Sequence, residues 1–197
     1  MERFLSVYFL PQLSWSGSFR INQFAYRRFY GARDATLFVV LSWLRALATG
    51  NKVGVYCSDV MSAFDHVSTL KLLEKLRRSV IHSSVVDVIA DWLVGRRGEV
   101  IVQRPSFVSF PLSSMTYQGT VWGPPLWNLF FADAPLALRK CAFQEVIYAD
   151  DLNAFRVFLN SVSNDFVLSQ LHRSQCELQQ RVATNCLILT VNGRVLI

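Results

Sequence analysis

Charged residues are scarce in this chain: Asp, Glu, Lys and Arg make up 17% of its 197 residues, whereas hydrophobic residues make up 52%. This composition excludes a largely disordered protein, because disordered chains are poor in apolar residues and rich in charge. Internal repeats and linker-like stretches of Pro, Gly and Ser are also lacking. The chain is therefore predicted to form one structural unit with a substantial core.

Cysteine and long apolar runs are equally limited. The four cysteines are scattered, with no pair at the two-residue gap of a zinc knuckle, so reduced and packed thiols inside a cell are the expectation. The most apolar window, 35–48, contains Arg45 and is too short to cross a bilayer. The first residues show no signal-peptide pattern. The sequence thus predicts no association with a membrane.

The chain has 20 basic and 14 acidic residues, a net charge of +6 that favours an anionic partner such as a nucleic acid. Hydrophobic periodicity and turn residues predict an α+β fold in which a small antiparallel sheet is backed by helices. The predicted helices are 34–49, 67–78, 84–94, 126–139 and 164–186, and the predicted strands are 53–58, 100–102, 107–110, 143–148 and 152–157.

Two acidic clusters carry the chemistry. Asp59 follows the predicted strand 53–58, and Asp150-Asp151 occupies the tight turn between two later strands. An isolated Asp-Asp pair is typical of an ordinary turn, because Asp favours turns. If the two strands pair side by side, however, the three carboxylates meet, and carboxylate oxygens are the ligands that Mg²⁺ prefers. Such a site could hold two ions, Mg²⁺ or Mn²⁺, for phosphoryl transfer.

Three collinear segments resemble the conserved motifs of reverse transcriptases. They are residues 59–65 (DVMSAFD), 118–130 (QGTVWGPPLWNLF) and 148–151 (YADD). Residues 22–26 (NQFAY) and 31–35 (GARDA) resemble the fingers-side segment of the non-LTR retrotransposon and group II intron-like enzymes. The resemblance runs from Met1 to about Leu189. RNA-directed RNA polymerases share the palm, but their third motif is usually Gly-Asp-Asp, which argues against that class.

The resemblance implies a polymerase palm with partial fingers. Asp59, Asp150 and Asp151 would be the catalytic, metal-binding acids, and Phe64 would be the steric gate that excludes a ribose 2′-hydroxyl. The remaining residues that would contact the nucleotide are Val60, Ala63, Gln118 and Gly119. The implied partners are an RNA template, a DNA or RNA primer and deoxynucleoside triphosphates.

Basic residues predict where the nucleic acid would run. The candidates for phosphate contacts are Arg27, Arg28, Arg33 and Lys52 on the fingers side, and Arg96, Arg97 and Arg104 around the predicted hairpin. Residues 189–195 weakly resemble the family's fourth motif, with Val195 near the position of its usual Lys. That Lys is a candidate proton donor to pyrophosphate.

The expected domain organisation is a reverse transcriptase domain over 1–197, with partial fingers over 1–52 and mainly palm over 53–197, cut at both ends and without a thumb. Two hypotheses follow. The chain is an RNA-directed DNA polymerase domain of a retroelement, or an inactive remnant that at most binds nucleic acid. The expected location is inside the cell, with the nucleus required if priming occurs at a chromosomal target.

Overall fold

The computed structural model describes residues 2–100, 109–112 and 114–192. The helices are α1 (Glu2–Trp15), α2 (Ala32–Ala48), α3 (Thr69–Arg77), α4 (Ser83–Leu93), α5 (Gly123–Phe131), α6 (Leu136–Lys140) and α7 (Asn164–Thr184), with a 3₁₀ turn at Ala63–His66. The strands are β1 (Lys52–Val60), β2 (Arg97–Glu99), β3 (Ser109–Pro111), β4 (Gln144–Tyr148), β5 (Asp151–Phe158) and β6 (Leu189–Asn192). The α+β prediction is confirmed.

One antiparallel sheet, in the order β4-β5-β1-β6, organises the fold. Side chains alternate between its faces with the period of two that a strand imposes. In β1, Val53 and Val55 pack with Ala46 of α2 and other residues in a small cluster, whereas Tyr56 and Val60 belong to the larger core. Helices α3, α4, α5 and α7 also contribute to that larger core. The central strand β1 is therefore covered by helices on both faces.

Close packing shapes β1 as well. A Cβ atom at Gly54 would lie 3.0 Å from the ring of Phe158 and 3.0 Å from Val167 at the start of α7. Real Cβ contacts are rarely this tight, so a larger residue would push α7 away from the sheet. The glycine thus lets the helix approach the strand that carries Asp59 near its end.

Several predicted elements are confirmed with small shifts, and others are wrong. The predicted helix 126–139 is two helices, because α5 ends at Phe131 and α6 begins at Leu136. Pro135 explains the break: a proline has no N–H to donate and its ring would collide with the carbonyl one turn back. The predicted helix 67–78 begins two residues later, at Thr69, because Ser68 has an extended backbone.

The middle hairpin also differs from its prediction. Strand β2 is Arg97–Glu99, so it precedes the predicted strand 100–102, and Val100 lies outside the strand. Residues 101–108, including the rest of strand 100–102, the start of strand 107–110 and Arg104, lie outside the described residues. The predicted helix 34–49 begins two residues earlier, at Ala32, so Asp34 lies in its first turn, where its carboxylate accepts a hydrogen bond from Gly31 N–H at 2.7 Å.

Helix α1 was not predicted from the sequence. It buries Ser6, Phe9 and Leu13, and the indole of Trp122 donates a hydrogen bond to the Ser6 hydroxyl. In the part of the chain that the structure describes, α1 and the other helices all fall short of the length and apolar character that crossing a membrane requires.

Candidate active site

The pairing of β1 with β5 brings two of the predicted catalytic acids to neighbouring positions. The last registered pair is Ser58 opposite Leu152, so Asp59 and Asp151 are the next residues on adjacent strands. Because Tyr148 pairs with Asp151, Asp150 lies in a two-residue loop between β4 and β5. The sheet therefore brings all three carboxylates to the same end of the central strands β1 and β5, although the two clusters are about ninety residues apart in the chain. This end of the sheet, with Asp59, Asp150 and Asp151, is called the carboxylate edge or acidic edge below.

The electrostatics of this edge are those of crowded like charges. Burial, followed by the charge of Asp59, raises the pKa of Asp150 above its ordinary value. Burial, followed by the charges of Asp150 and Asp59, raises the pKa of Asp151. Among the described residues, none of these three carboxylates forms an ion pair with a basic side chain. A cluster of carboxylates that lacks a protein cation suits a bound divalent cation.

The carboxylate oxygens of Asp59, Asp150 and Asp151 are suitable ligands for a divalent cation, but the three side chains do not form a metal site in their present positions. Within residues 2–100, 109–112 and 114–192, no three His, Cys, Asp or Glu side chains are grouped closely enough to hold an ion. Metal binding by Asp59, Asp150 and Asp151 therefore remains a prediction, although the strand register places their backbone positions next to one another.

The backbone of the Asp150 turn is held by two buried side chains from distant segments. Ala149 has a φ of 60°, in the left-handed region that residues with a side chain rarely adopt. The Gln23 amide donates to the Ala149 carbonyl at 3.1 Å and accepts from its N–H at 3.2 Å. The indole N–H of Trp127 donates to the same carbonyl at 2.9 Å.

Neither Gln23 nor Trp127 was singled out from the sequence as a site residue. Gln23 was quoted only as part of the fingers-side segment, and Trp127 was part of the second motif. The available signal was weak: a glutamine next to Phe24 and Ala25 whose amide, if buried, must satisfy two donors and two acceptor positions. Its partners could not be identified, because they lie 126 residues away in sequence.

The predicted steric gate, Phe64, lies in the 3₁₀ turn that follows β1. Its ring stacks on Trp127, with centroids 5.7 Å apart, and meets the edge of Tyr26, with centroids 6.2 Å apart. Val60 and Ala63 are 1% and 3% exposed, so their side chains pack in the core and do not face a substrate. Their predicted contact with a nucleotide remains a prediction, with only the backbone available for it.

Gln118 and Gly119 lie in an exposed turn close to Phe64 in the fold. The Thr116 N–H donates to the Phe64 carbonyl at 2.8 Å, which fixes the start of this turn beside the predicted gate. Gly119 has a φ of 81°, and a Cβ atom at Gly123 would lie 2.5 Å from the Tyr117 carbonyl oxygen. Two glycines are therefore required for different reasons, one for its φ and the other for close backbone approach.

The predicted phosphate-binding arginines occupy different environments. Arg27 donates from one guanidinium nitrogen to the carbonyls of Arg20, Ile21 and Gln23, and its guanidinium lies 4.5 Å from the Tyr30 ring centroid. Arg27 thus stabilises the loop that carries Gln23. Arg28 and Arg33 are exposed.

The two arginines near the hairpin also have partners within the protein. Arg96 lies over the rings of Trp92 and Tyr117, with its guanidinium carbon 4.7 and 4.4 Å from their centroids. Arg97 donates to the hydroxyl and the carbonyl of Ser109 across the hairpin. Arg96 is half-buried and Arg97 is exposed, and their predicted contact with phosphates remains a prediction.

A groove of about 780 Å³ opens beside the predicted gate. Its walls include Trp15, Tyr26, Arg27, Arg28 and Phe29. Tyr26 is also close enough to Asp150 to be affected by its charge. Burial, and then the charge of Asp150, raise the pKa of the Tyr26 hydroxyl. The groove thus combines aromatic rings and positive charge next to the acidic edge.

The segment that resembles the fourth motif forms strand β6 beside Asp59. Thr190 pairs with Asp59, and its hydroxyl donates to the Asp59 carbonyl at 3.1 Å. Residues 193–195, including Val195, lie outside the described residues. The sheet edge is therefore flanked on one side by β6 and on the other by the Asp150 turn.

These features together are those of a polymerase palm, and comparison with known proteins agrees. The chain matches the family model described as reverse transcriptase (RNA-dependent DNA polymerase) over residues 6–189. This match covers most of the sequence, so the chain belongs to the reverse transcriptase family. The resemblance deduced from the motifs is confirmed.

Two similar proteins place the chain further. It is 32% identical, over 136 residues, to the RNA-directed DNA polymerase from mobile element jockey of Drosophila funebris. The match covers 66% of this chain and 15% of that relative, so the chain spans a small part of its length. A structure of apo telomerase from Candida tropicalis, truncated from its C-terminal domain, superposes on 98% of this chain and 40% of its own, with a TM-score of 0.59 and 12% identity. The telomerase likeness supports the palm fold alone.

Proposed function

We propose that this chain is the RNA-directed DNA polymerase domain of a retroelement, which adds deoxynucleotides to a primer 3′-hydroxyl. The observation that carries the proposal is the gathering of Asp59, Asp150 and Asp151 at one sheet edge without a protein cation among the described residues. The similarity to the polymerase of a mobile element supports the same reading.

The three carboxylates would hold two Mg²⁺ or Mn²⁺ ions. When bound, such ions supply Lewis-acid activation of the attacking hydroxyl and neutralise charge on the departing pyrophosphate. The protein's own part is to hold the acids close together. Burial and like charges raise the pKa of Asp150 and Asp151, which disfavours their ionised forms, and a bound cation would offset that cost.

Sugar selection falls to Phe64. A bulky ring at the nucleotide site crowds a ribose 2′-hydroxyl and leaves a deoxyribose unaffected. The stack on Trp127 and the edge contact with Tyr26 restrict the ring from two sides, so it has little freedom to swing away from a 2′-hydroxyl. This rigidity supports deoxynucleotides as the substrates.

The groove beside the gate would take the single-stranded part of the RNA template. Single strands bind where aromatic rings can stack on bases and arginines can neutralise phosphates. Trp15 and Phe29 are each 86% exposed, and Arg28 lies over the Phe29 ring with its guanidinium carbon 4.7 Å from the centroid. These exposed rings and charges suit a nucleic-acid partner better than a small apolar ligand.

Primer extension tests the proposal. The chain is given a poly(rA) template, an oligo(dT) primer and dTTP, first with Mg²⁺ and then with Mn²⁺. The variant Asp150→Asn/Asp151→Asn removes both turn charges with little change in volume. Asp87→Asn, at an exposed position on α4, is the matched control. Extension by the wild type and the control, lost in the double variant, is the expected result.

The alternative is an inactive domain that at most binds nucleic acid. Extension by none of the three proteins, with folding shown by circular dichroism and with retained binding of primer–template, would replace the polymerase proposal by this alternative. Extension that persists in the double variant would instead overturn the assignment of the carboxylates.

A further inference from the structure

We propose that Gln23 and Trp127 are positioning residues for the metal-binding edge: together they hold Ala149 in its left-handed conformation and so place the Asp150 carboxylate. This inference rests on the proposed function, since it concerns the turn that carries two of the proposed metal ligands. It adds two residues, from outside that turn, on which the geometry of the site depends.

A two-residue hairpin loop places a positive φ at its first residue, here Ala149, but alanine is a residue that this conformation disfavours. Its φ is 60°, where the Cβ atom of an L-residue crowds the following carbonyl oxygen. The residue is 7% exposed, so water has little access to its peptide groups. It also lies in the loop, beyond the last β4–β5 pair of Tyr148 and Asp151. The turn therefore needs hydrogen-bond partners from elsewhere.

Gln23 supplies a partner for both peptide groups at once. A primary amide presents a donor and an acceptor side by side, and Ala149 offers its carbonyl and N–H to them at 3.1 and 3.2 Å. The amide oxygen also accepts from the Ala25 N–H at 3.2 Å, which fixes the orientation of the amide. The Gln23 side chain thus makes the hydrogen bonds to Ala149 that the backbone of a neighbouring strand would make within a sheet.

The base of Gln23 is itself tied to the sheet. The Phe24 N–H donates to the Ile147 carbonyl at 2.8 Å, and the Ile147 N–H donates to the Asn22 carbonyl at 2.9 Å. Residues 22–24 therefore run along the free edge of β4, parallel to it, with Gln23 opposite Ile147. From that position the side chain reaches the peptide two residues further along.

Trp127, on helix α5, provides the third hydrogen bond to Ala149. Its indole N–H is the second donor to the Ala149 carbonyl, at 2.9 Å, and the side chain is 0% exposed. Three hydrogen bonds from these two side chains hold the N–H and the carbonyl of Ala149. Without them only the closure of the hairpin would hold Ala149 at positive φ, and the backbone at Asp150, the next residue, would be less well fixed.

The test compares three variants with the wild type. Gln23→Met removes the amide at nearly constant length. Gln23→Met/Ala149→Gly keeps that loss but lets position 149 adopt positive φ at no steric cost. Asn185→Leu removes another buried amide, one that donates to Asp133 at 3.1 Å, and is the matched control for lost stability.

Three quantities are measured for each protein: amide hydrogen exchange of the peptide covering 148–152, binding of Mn²⁺ alone by electron paramagnetic resonance, and kcat and KM in primer extension. In Gln23→Met we expect faster exchange, a Mn²⁺ affinity and a kcat lower by about 10-fold each, and little change in the KM for dTTP. The glycine double variant should recover part of both losses. Asn185→Leu should lower the melting temperature and change neither.

Slow exchange in Gln23→Met, or fast exchange with unchanged Mn²⁺ affinity and kcat, would overturn the inference. So would equal losses in Asn185→Leu, since these would show a general effect of stability. Failure of the proposed function is distinguishable: the wild type would then neither bind Mn²⁺ nor extend a primer. In that case the exchange measurement still decides whether Gln23 holds the turn.

Discussion

The ring of Phe64 lies on the indole of Trp127, with centroids 5.7 Å apart and planes 29° apart. The same indole donates to the Ala149 carbonyl at 2.9 Å. One side chain thus contacts both the proposed sugar gate and the carboxylate-bearing turn. The proposed sugar discrimination and metal placement would therefore share one support, Trp127 on helix α5.

Replacing Phe64 by Ala should relax the choice of sugar. The cavity left beside Trp127 admits a 2′-hydroxyl, so we expect the preference for dTTP over UTP in kcat/KM to fall by about 10-fold or more. Primer extension with each nucleotide measures it. Phe166→Ala, at a half-exposed ring on α7, is the control and should keep the preference. An unchanged preference in Phe64→Ala would remove Phe64 from the gate.

The carboxylate edge should be a source of instability when no metal is present. The pKa of Asp150 and that of Asp151 are raised above the ordinary value of 3.8, so the folded state binds protons more tightly than the unfolded state. Stability from these groups is full below pH 3.8 and is lost as pH rises through the raised values. Asp150→Asn/Asp151→Asn should therefore melt at a higher temperature than the wild type at pH 7 in EDTA.

The same melting experiment with Mg²⁺ should reverse the order. The ion stabilises the wild type because it binds the folded state, and it should have little effect on the double variant. Asp87→Asn should behave as the wild type in both buffers. A double variant that is less stable than the wild type at pH 7 in EDTA would contradict the inference that burial and neighbouring charges make the ionised Asp150 and Asp151 unfavourable.

Asp133 should contribute to stability in the opposite pH range. Burial would raise its pKa, but the hydrogen bond and charge of Lys75, with Asn185 and Arg181, hold the pKa below its ordinary value. Such a group stabilises the fold above pH 3.8, and its contribution is lost as pH falls through the lowered value. Asp133→Asn should lower the free energy of unfolding at pH 7 by about 1–3 kcal/mol, because Lys75 is left without its anion.

Urea unfolding at several pH values measures this contribution. The gap between Asp133→Asn and the wild type should narrow towards acid pH. Glu74→Gln, which breaks the exposed pair with Arg78, should change little at any pH. A gap that is constant with pH would show that the Asp133 charge is not its cause.

Gly123 and Gly17 should respond differently to alanine. A Cβ atom at Gly123 would meet the Tyr117 carbonyl oxygen at 2.5 Å, a backbone clash that no side-chain motion relieves. Gly123→Ala should therefore displace the 117–123 turn and cost about 1–3 kcal/mol of unfolding free energy. Gly17 has a φ of 73° with open space around it, so Gly17→Ala should show only the smaller cost of the conformation. Equal costs would contradict this reading of the turn.

Alanine variants of two neighbouring arginines should show which of them affects nucleic-acid binding alone and which also affects the stability of the fold. Arg28→Ala removes an exposed charge and should weaken binding of primer–template while leaving the melting temperature unchanged. Arg27→Ala also removes hydrogen bonds to three carbonyls, so it should lower both. Fluorescence anisotropy over a range of salt concentrations measures the binding, and each lost phosphate contact should reduce the salt slope by about one. Unchanged binding in both variants would exclude this groove as the template path.

The parts of the fold and site that could be predicted from the sequence are those that depend on neighbouring residues in the chain. The strands around Asp59 and Asp150 were predicted because alternation and turn residues are local properties. Helix α1 was missed because it presents apolar residues on both faces: Phe9 and Leu13 are buried, while Phe4 and Trp15 are 66% and 86% exposed. The helix break before α6 was missed although Pro135 signals it.

The sequence by itself determined the family, the acidic residues and the elements that carry them, since these follow from residue type and short-range periodicity. Only the tertiary structure decided that Gln23 and Trp127 meet at Ala149, and that Arg27 is committed to the loop of Gln23. The hydrogen bond between Gln23 and Ala149 spans 126 residues, and such a contact depends on strand order and helix packing, which a local pattern does not encode. The positive φ of Ala149 is partly set in the same way, because Gln23 and Trp127 bind its peptide groups in addition to the closure of the hairpin.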